Sequence, residues 1–379
     1  NGMASVRDYP SAVLLPSGKV LVLGGYNPAL PLPRQLDSAD LYDPATHLFT
    51  PSASHMGTKR QQFTATLLLN GKVLITGGFL DTGATALGSA ELYDPVTDTF
   101  QPSAGTLGYP RWGHLAVLLP SGKVFIAGGN GGTAVGAELY DPQLDAFLPT
   151  GGTNLVASWN TATLLPNGQV LLALAGSSTA GISMLYDPST GLATPSTGTP
   201  DPTRVQAPTA TLLGDGRVLL AGNLGAPGAD VAGDCEIFNP ATGLYNYTAN
   251  PGDRWEHNAS QLADGRVLLV GGWNSSLTTA LNTGTLFNAG PAVAAPAASA
   301  TISAASSAAA GTAGHLASVP ATVGAAYFWT IANGTITAGR GTASITFTAG
   351  TAGSLQLECL VVSAAGIPAQ GSATLTVTP

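Results

Sequence analysis

SGKVLVLGGY, residues 17–26, is a β-rich run closed by two glycines, and it recurs. NGKVLITGGF (70–79), SGKVFIAGGN (121–130) and DGRVLLVGGW (264–273) are near copies, while NGQVLLALAGS from Asn167 and DGRVLLAGN from Asp215 are worn ones. The turn glycines Gly18, Gly71, Gly122, Gly168, Gly216 and Gly265 are spaced by 53, 51, 46, 48 and 49 residues. Six copies of one supersecondary unit, each about fifty residues long, therefore occupy most of the chain.

The second copy shows what the unit is. Phe63 to Leu69 and Lys72 to Thr76 are β-rich and are joined by Asn70-Gly71, a hairpin signal in which both turn positions are expected at positive φ. Ala90 to Tyr93 supplies a third strand and Thr99 to Pro102 a fourth, across a turn made by Asp94-Pro95. Such a four-stranded antiparallel sheet, apolar on both faces, is stable only when neighbours stack on it, and six stacked around an axis make a propeller.

Composition agrees with an all-β chain. Gly, Pro, Ala, Ser and Thr abound and long charged helix formers are scarce. Only 9% of the 379 residues are charged, the net charge is -8, and four residues are lysine, so there is no basic footprint and nucleic acid is not an expected partner. No apolar run reaches the roughly 18 residues of a membrane helix, so membrane insertion is not expected. The chain begins at Asn1 without a signal-like segment, which suggests a processed or truncated product. Cys235 and Cys359 are open to two readings, a disulfide between domains or two buried thiols.

The repeats resemble the kelch family through the double glycines Gly24-Gly25, Gly77-Gly78, Gly128-Gly129 and Gly271-Gly272 and the Leu-Tyr-Asp-Pro runs at Leu41, Leu92, Leu139 and Leu185. They depart from it where only Gly176 and Gly222 remain, and where the family's fourth-strand tryptophan is Phe49, Phe100, Phe147, Ala193 and Tyr245. The resemblance implies a six-bladed kelch-like β-propeller over residues 1–296. Aligning Asn288 with Asp94 lets Val293 to Pro296 supply the sixth blade's last strand; the alternative is a strand from an upstream segment absent from this chain.

After Pro296 the glycine pattern gives way to alternating strands with glycine turns, spaced as in a small sandwich. Trp329-Thr330-Ile331, Gly334-Thr335-Ile336 and Leu375-Thr376-Val377 resemble the PKD or bacterial immunoglobulin-like modules. The expected second domain is an Ig-like β-sandwich over 297–379. Together the two resemblances imply a secreted or cell-surface protein of bacterial type.

A kelch propeller followed by an Ig-like domain also resembles the galactose-oxidase type of copper enzyme. That resemblance implies a Tyr-His pair, a Tyr cross-linked to Cys, and a His from the second domain. No Tyr precedes a His here, and only His315 lies in the second domain. Asp43, Asp94, Asp141 and Asp187 recur at the third-to-fourth strand turn of four repeats, as turn formers do and an acid-base pair does not. No catalytic residue, metal or cofactor is expected. His47, His55, His114, His257 and His315 lack ligand-like spacing.

Binding is the remaining class. Arg7, Arg60, Arg111 and Arg254 each lie twelve residues before a turn Lys or Arg, with Arg204 one place out of register. Two repeats add rings: Arg111-Trp112-Gly113-His114 and Arg254-Trp255-Glu256-His257. Two accounts are open. The arginines bond carbonyls of a neighbouring blade and lock the ring, or they line a pocket at the axis mouth with Trp112, His114, Trp255, His257, Trp159 and Trp273, gripping a glycan or protein partner. Tyr26 would add to that face. The expected function is non-catalytic binding or adhesion; the alternatives are a structural subunit of an extracellular assembly, through self-association of exposed strand edges, and a carbohydrate-active or copper enzyme.

Overall fold

The structure is a computed structural model describing residues 2–80, 85–130, 136–150, 160–174, 182–200, 208–222, 235–248, 254, 256–262, 264–273, 280–288, 300–322, 325–339, 342–362 and 368–379. Among them every regular element is a β-strand. Six antiparallel sheets follow one another in chain order, each a meander. The first consists of Ser11–Leu14, Val20–Leu23, Ala39–Asp43 and Leu48–Pro51, so its four strands lie within Ser11 to Pro51 as the repeat alignment requires. In the second, Thr64–Leu67, Val73–Thr76, Ala90–Asp94 and Thr99–Pro102 pair, and in the third Leu115–Leu118, Val124–Ala127, Glu138–Asp141 and Ala146–Pro149. The sixth has three described strands, Asn258–Gln261, Val267–Val270 and Gly284–Phe287; Val293 to Pro296 lie outside the described residues.

The hairpin turns correct one expectation. Gly71 has φ 79° but Asn70 does not join it at positive φ. Gly71 N–H donates to Leu68 O and Leu68 N–H to Lys72 O, which is a type I turn followed by a glycine bulge. This turn asks positive φ of glycine alone, which is why Ser17, Asn70, Ser121 and Asp215 can all precede it.

The first four sheets stack one on the next through their apolar faces, and so do the fifth and sixth. Val13, Leu21 and Leu23 of the first sheet share a core with Val73, Ile75, Tyr93 and Phe100 of the second. Leu74 and Ala90 in turn meet Val124, Ile126 and Tyr140 of the third. Phe125 stacks on Tyr186 of the fourth at 4.0 Å. Leu219, Ala221 and Cys235 of the fifth meet Val267, Leu269 and Phe287 of the sixth. The first strands of successive sheets lie beside one another, Ser11–Leu14 against Thr64–Leu67 and that against Leu115–Leu118. By internal contacts the chain divides into two units, Asn1–Ala162 with Val170–Leu174 and Ile182–Pro195, and Thr163–Gln169 with Ala175–Gly181 and Ser196–Pro379.

Residues 300–379 form a two-sheet sandwich. One sheet orders Ser303–Ala304, His315–Ser318, Ser344–Ala349 and Gly334–Ala338; the other orders Ser307–Ala309, Pro368–Thr378, Gly353–Val362 and Ala326–Ala332. Trp329, Phe347, Leu355, Leu357 and Cys359 fill the core between them, and Trp329 Nε1 donates to Thr342 O at 2.9 Å. Cys235 and Cys359 are buried in different cores and form no disulfide.

Candidate functional site

The recurring arginines are buried, and each repeats one geometry. Arg60 donates to Gly77 O at 2.7 Å, to Ser89 O at 3.2 Å and to Glu91 at 2.8 Å. Arg111 donates to Gly128 O at 3.1 Å, to Gly136 O at 2.6 Å and to Glu138 at 2.8 Å. Arg7 does the same with Gly24 O, Ser38 O and Asp40, the last at 2.8 Å. In every case the anchor is the first glycine of the double-glycine pair, 17 residues on. The carboxylates also fasten the chain entering the sheet. Glu91 accepts from Gly57 and Thr58 N–H, and Glu138 from Gly108 and Tyr109 N–H.

These guanidinium groups bond their own sheet, which corrects the expectation that they reach a neighbour's carbonyls. It is the arginine backbone that reaches across. Gly25 N–H donates to Arg60 O and Gly78 N–H to Arg111 O, while Arg60 and Arg111 N–H donate to Leu36 O and Leu87 O. One residue thus staples two sheets, by main chain to the sheet before and by side chain to its own. Burial lowers the pKa of Arg60 and Arg111 and the paired Glu91 and Glu138 oppose it; the guanidinium stays charged.

The histidines complete the staple. His114 Nε2 lies 2.9 Å from Thr64 Oγ1 and 3.1 Å from Thr76 Oγ1, two hydroxyls of the preceding sheet. His257 Nε2 meets Thr209 Oγ1 at 2.9 Å in the same way. Burial, reinforced by Arg111 and Arg60, lowers the His114 pKa to about 3; burial and Arg254 lower that of His257 to about 4. Both rings are neutral at pH 7. They explain the glycines beside them: a Cβ on Gly77 would sit 2.8 Å from His114 Cε1, and one on Gly222 2.6 Å from His257 Cε1.

A second interlock joins sheets at their third-to-fourth strand turns. Asp98 accepts from Ser52 Oγ at 2.6 Å and Ala53 N–H at 2.7 Å of the sheet before, and from Tyr93 Oη at 2.8 Å. Asp145 repeats this with Ser103, Ala104 and Tyr140. Burial opposes ionisation of Asp98, but the Ser52, Ala53 and Tyr93 donors outweigh it and hold its carboxyl below the usual range. Asp43, Asp94, Asp141 and Asp187 accept N–H bonds from Ala45, Val96, Gln143 and Ser189, so they are Asx-turn formers.

Of the residues expected to line a pocket, Arg111, His114, Arg254 and His257 are at most 5% exposed and spend their polar atoms inside the protein. Trp159 and Trp255 lie outside the described residues. The arginines and histidines are buried, whereas the described aromatic residues are partly exposed. Trp112 is half-buried, bridged to Asn130 by backbone, and its ring lies 5.0 Å from Phe79. Tyr109 is 41% exposed beside Arg111. Tyr26 is bridged to Asp8 and Gln35, and Arg34 Nη1 donates to its hydroxyl at 3.0 Å. Trp273, at the corresponding position of the sixth sheet, is 37% exposed and bridged to Ala280. Sequence reasoning missed Phe79, although it follows a double glycine just as Tyr26 and Trp273 do.

His315 Nε2 meets Thr312 Oγ1 at 2.7 Å and its ring lies against Phe347. Tyr93, Tyr140 and Tyr186 are buried in strand positions, and among the described residues no group of three His, Cys, Asp or Glu side chains is placed to share a metal.

Residues 295–377 match the family model of the PKD-like domain. Among solved structures, the chain is similar to a fungal alcohol oxidase of the AA5 family in complex with copper, with 15% identity, 99% of this chain and 98% of that chain covered, and a TM-score of 0.49. The copper and the oxidase activity are properties of that protein. No curated protein matches the chain.

Proposed function

We propose that this chain is a non-catalytic binding protein of the secreted or cell-surface bacterial type. In this reading residues 1–296 are a six-bladed kelch-like propeller, 297–379 are a PKD-like sandwich, and the ligand is a glycan held on aromatic rings. The observation that carries it is the division of labour between buried and exposed groups. The recurring Arg, His, Asp and Glu side chains are consumed by bonds between and within sheets. Tyr26, Phe79, Tyr109 and Trp112 keep ring surface at the sheet ends.

Phe79 and Trp112, whose rings lie 5.0 Å apart, offer a paired apolar surface that favours neutral sugars, whose C–H faces stack on aromatic planes, over acidic ligands that need a guanidinium grip. The test is a glycan array probed with the full chain and with Phe79→Ala and Trp112→Ala. Neutral glycans should be retained by the parent and lost by the variants, with affinity weakened by about 2 kcal/mol per ring. An array with no retained glycan, or equal retention by both variants, sinks the reading.

A further inference from the structure

Most described sheet edges carry a guard; Leu244–Thr248 of the fifth sheet, five residues long, and one longer strand of the sandwich do not. The fourth strands of the first four sheets, Leu48–Pro51, Thr99–Pro102, Ala146–Pro149 and Leu192–Pro195, all end in proline, which cannot extend a ladder. In the sandwich, Ser303–Ala304 and Ser307–Ala309 are too short to template a partner, and Gly334–Ala338 is broken by a bulge between Ile336 and Ala338. The remaining sandwich edge is Ala326–Ala332, AYFWTIA, which ends its sheet beyond Gly353–Val362. It is seven residues long, regularly paired on one side, and carries no proline, glycine or charge.

We propose that this strand pairs antiparallel with the same strand of a second copy, around a two-fold axis near Trp329, joining two four-stranded sheets into one. Two features choose a second copy as occupant. An antiparallel edge is its own complement, because a two-fold rotation sets each outward N–H against an outward C=O. Charge does not oppose the pairing: residues 297–379 contain only Arg340 and Glu358 as charged side chains. Glu358 lies one strand in, opposite Thr330. The two copies' Glu358 would thus be three strand spacings apart, roughly 14 Å, beyond the screening length of about 8 Å. Tyr327 and Trp329 are already buried in the sandwich core, so pairing adds a ladder without repacking the domain.

Sedimentation velocity on the full chain, from micromolar to submillimolar concentration, tests this against Thr330→Lys and Ala332→Lys, each placing a lysine on the edge. The parent should shift reversibly from monomer to dimer, and both variants should dimerise roughly tenfold more weakly or worse at unchanged melting temperature. Should Thr330→Lys fail to fold, Ala332→Lys at the strand end decides. A parent that stays monomeric throughout, or lysine variants that dimerise as the parent does, overturns the proposal.

Discussion

The third and sixth sheets carry the same staple with different chemistry. In both, an arginine donates to the first glycine's carbonyl 17 residues on, and a histidine three residues after it meets a threonine of the sheet before. In the third, Arg111 also meets Glu138; in the sixth, the corresponding partner of Arg254 is Thr285 Oγ1 at 2.8 Å, and no carboxylate contacts it among the described residues. The backbone anchors are therefore common and the carboxylate is an addition. It brings strength together with liability, because removing either member strands a buried charge. The fourth repeat fits this logic by having neither: Ala157 and Met184 stand at the two positions.

The comparison breaks most sharply at Arg111→Met, which leaves Glu138 buried with only N–H donors. Chemical denaturation should show a loss of about 3–5 kcal/mol. Arg254→Met strands no acid and should cost less, about 1–3 kcal/mol for the lost hydrogen bonds. Equal losses at the two positions would mean that the carboxylate contributes nothing specific.

The histidines sharpen what the two staples share. Unfolded, each takes up a proton near pH 6.5; folded, they resist it down to about 3 for His114 and about 4 for His257. Between those values the unfolded state binds more protons, so stability should fall as pH drops below 6.5. Near pH 5 the slope should approach that of two protons, and His114→Gln should remove one of them while leaving His257's contribution intact. A pH profile unchanged by that substitution would place the proton uptake elsewhere. Smallest of all, Trp112→Ala removes a half-buried ring and its contact with Phe79, and should lower stability by only about 1 kcal/mol or less. A larger loss would make Trp112 part of the staple.

Much of this was legible in the repeat spacing. Strand positions, the bounds of the first sheet and the Asx role of Asp94 follow from local patterns, because hairpins and turns are formed by residues close in sequence. The partners of the arginines were not. Arg7 to Asp40 spans 33 residues, Arg60 to Glu91 31, and Arg111 to Glu138 27, since a loop of varying length intervenes. The fixed separation of 17 to the glycine was present in the sequence, but a backbone carbonyl leaves no side-chain signature. The partly exposed rings were half legible: Tyr26 and Trp273 stood out as aromatic, whereas Phe79, at the same place after its double glycine, was not singled out.

The claim on which the rest depends is that the recurring arginines hold the sheets together and leave ligand contact to the rings. A double-mutant cycle on Arg111 and Glu138, each changed to Met singly and together and followed by equilibrium unfolding, tests it directly. The double variant should be more stable than the sum of the single losses predicts, by about 2 kcal/mol, because neither charge is left stranded. Strictly additive losses would contradict the account, because each charge would then be held independently of the other.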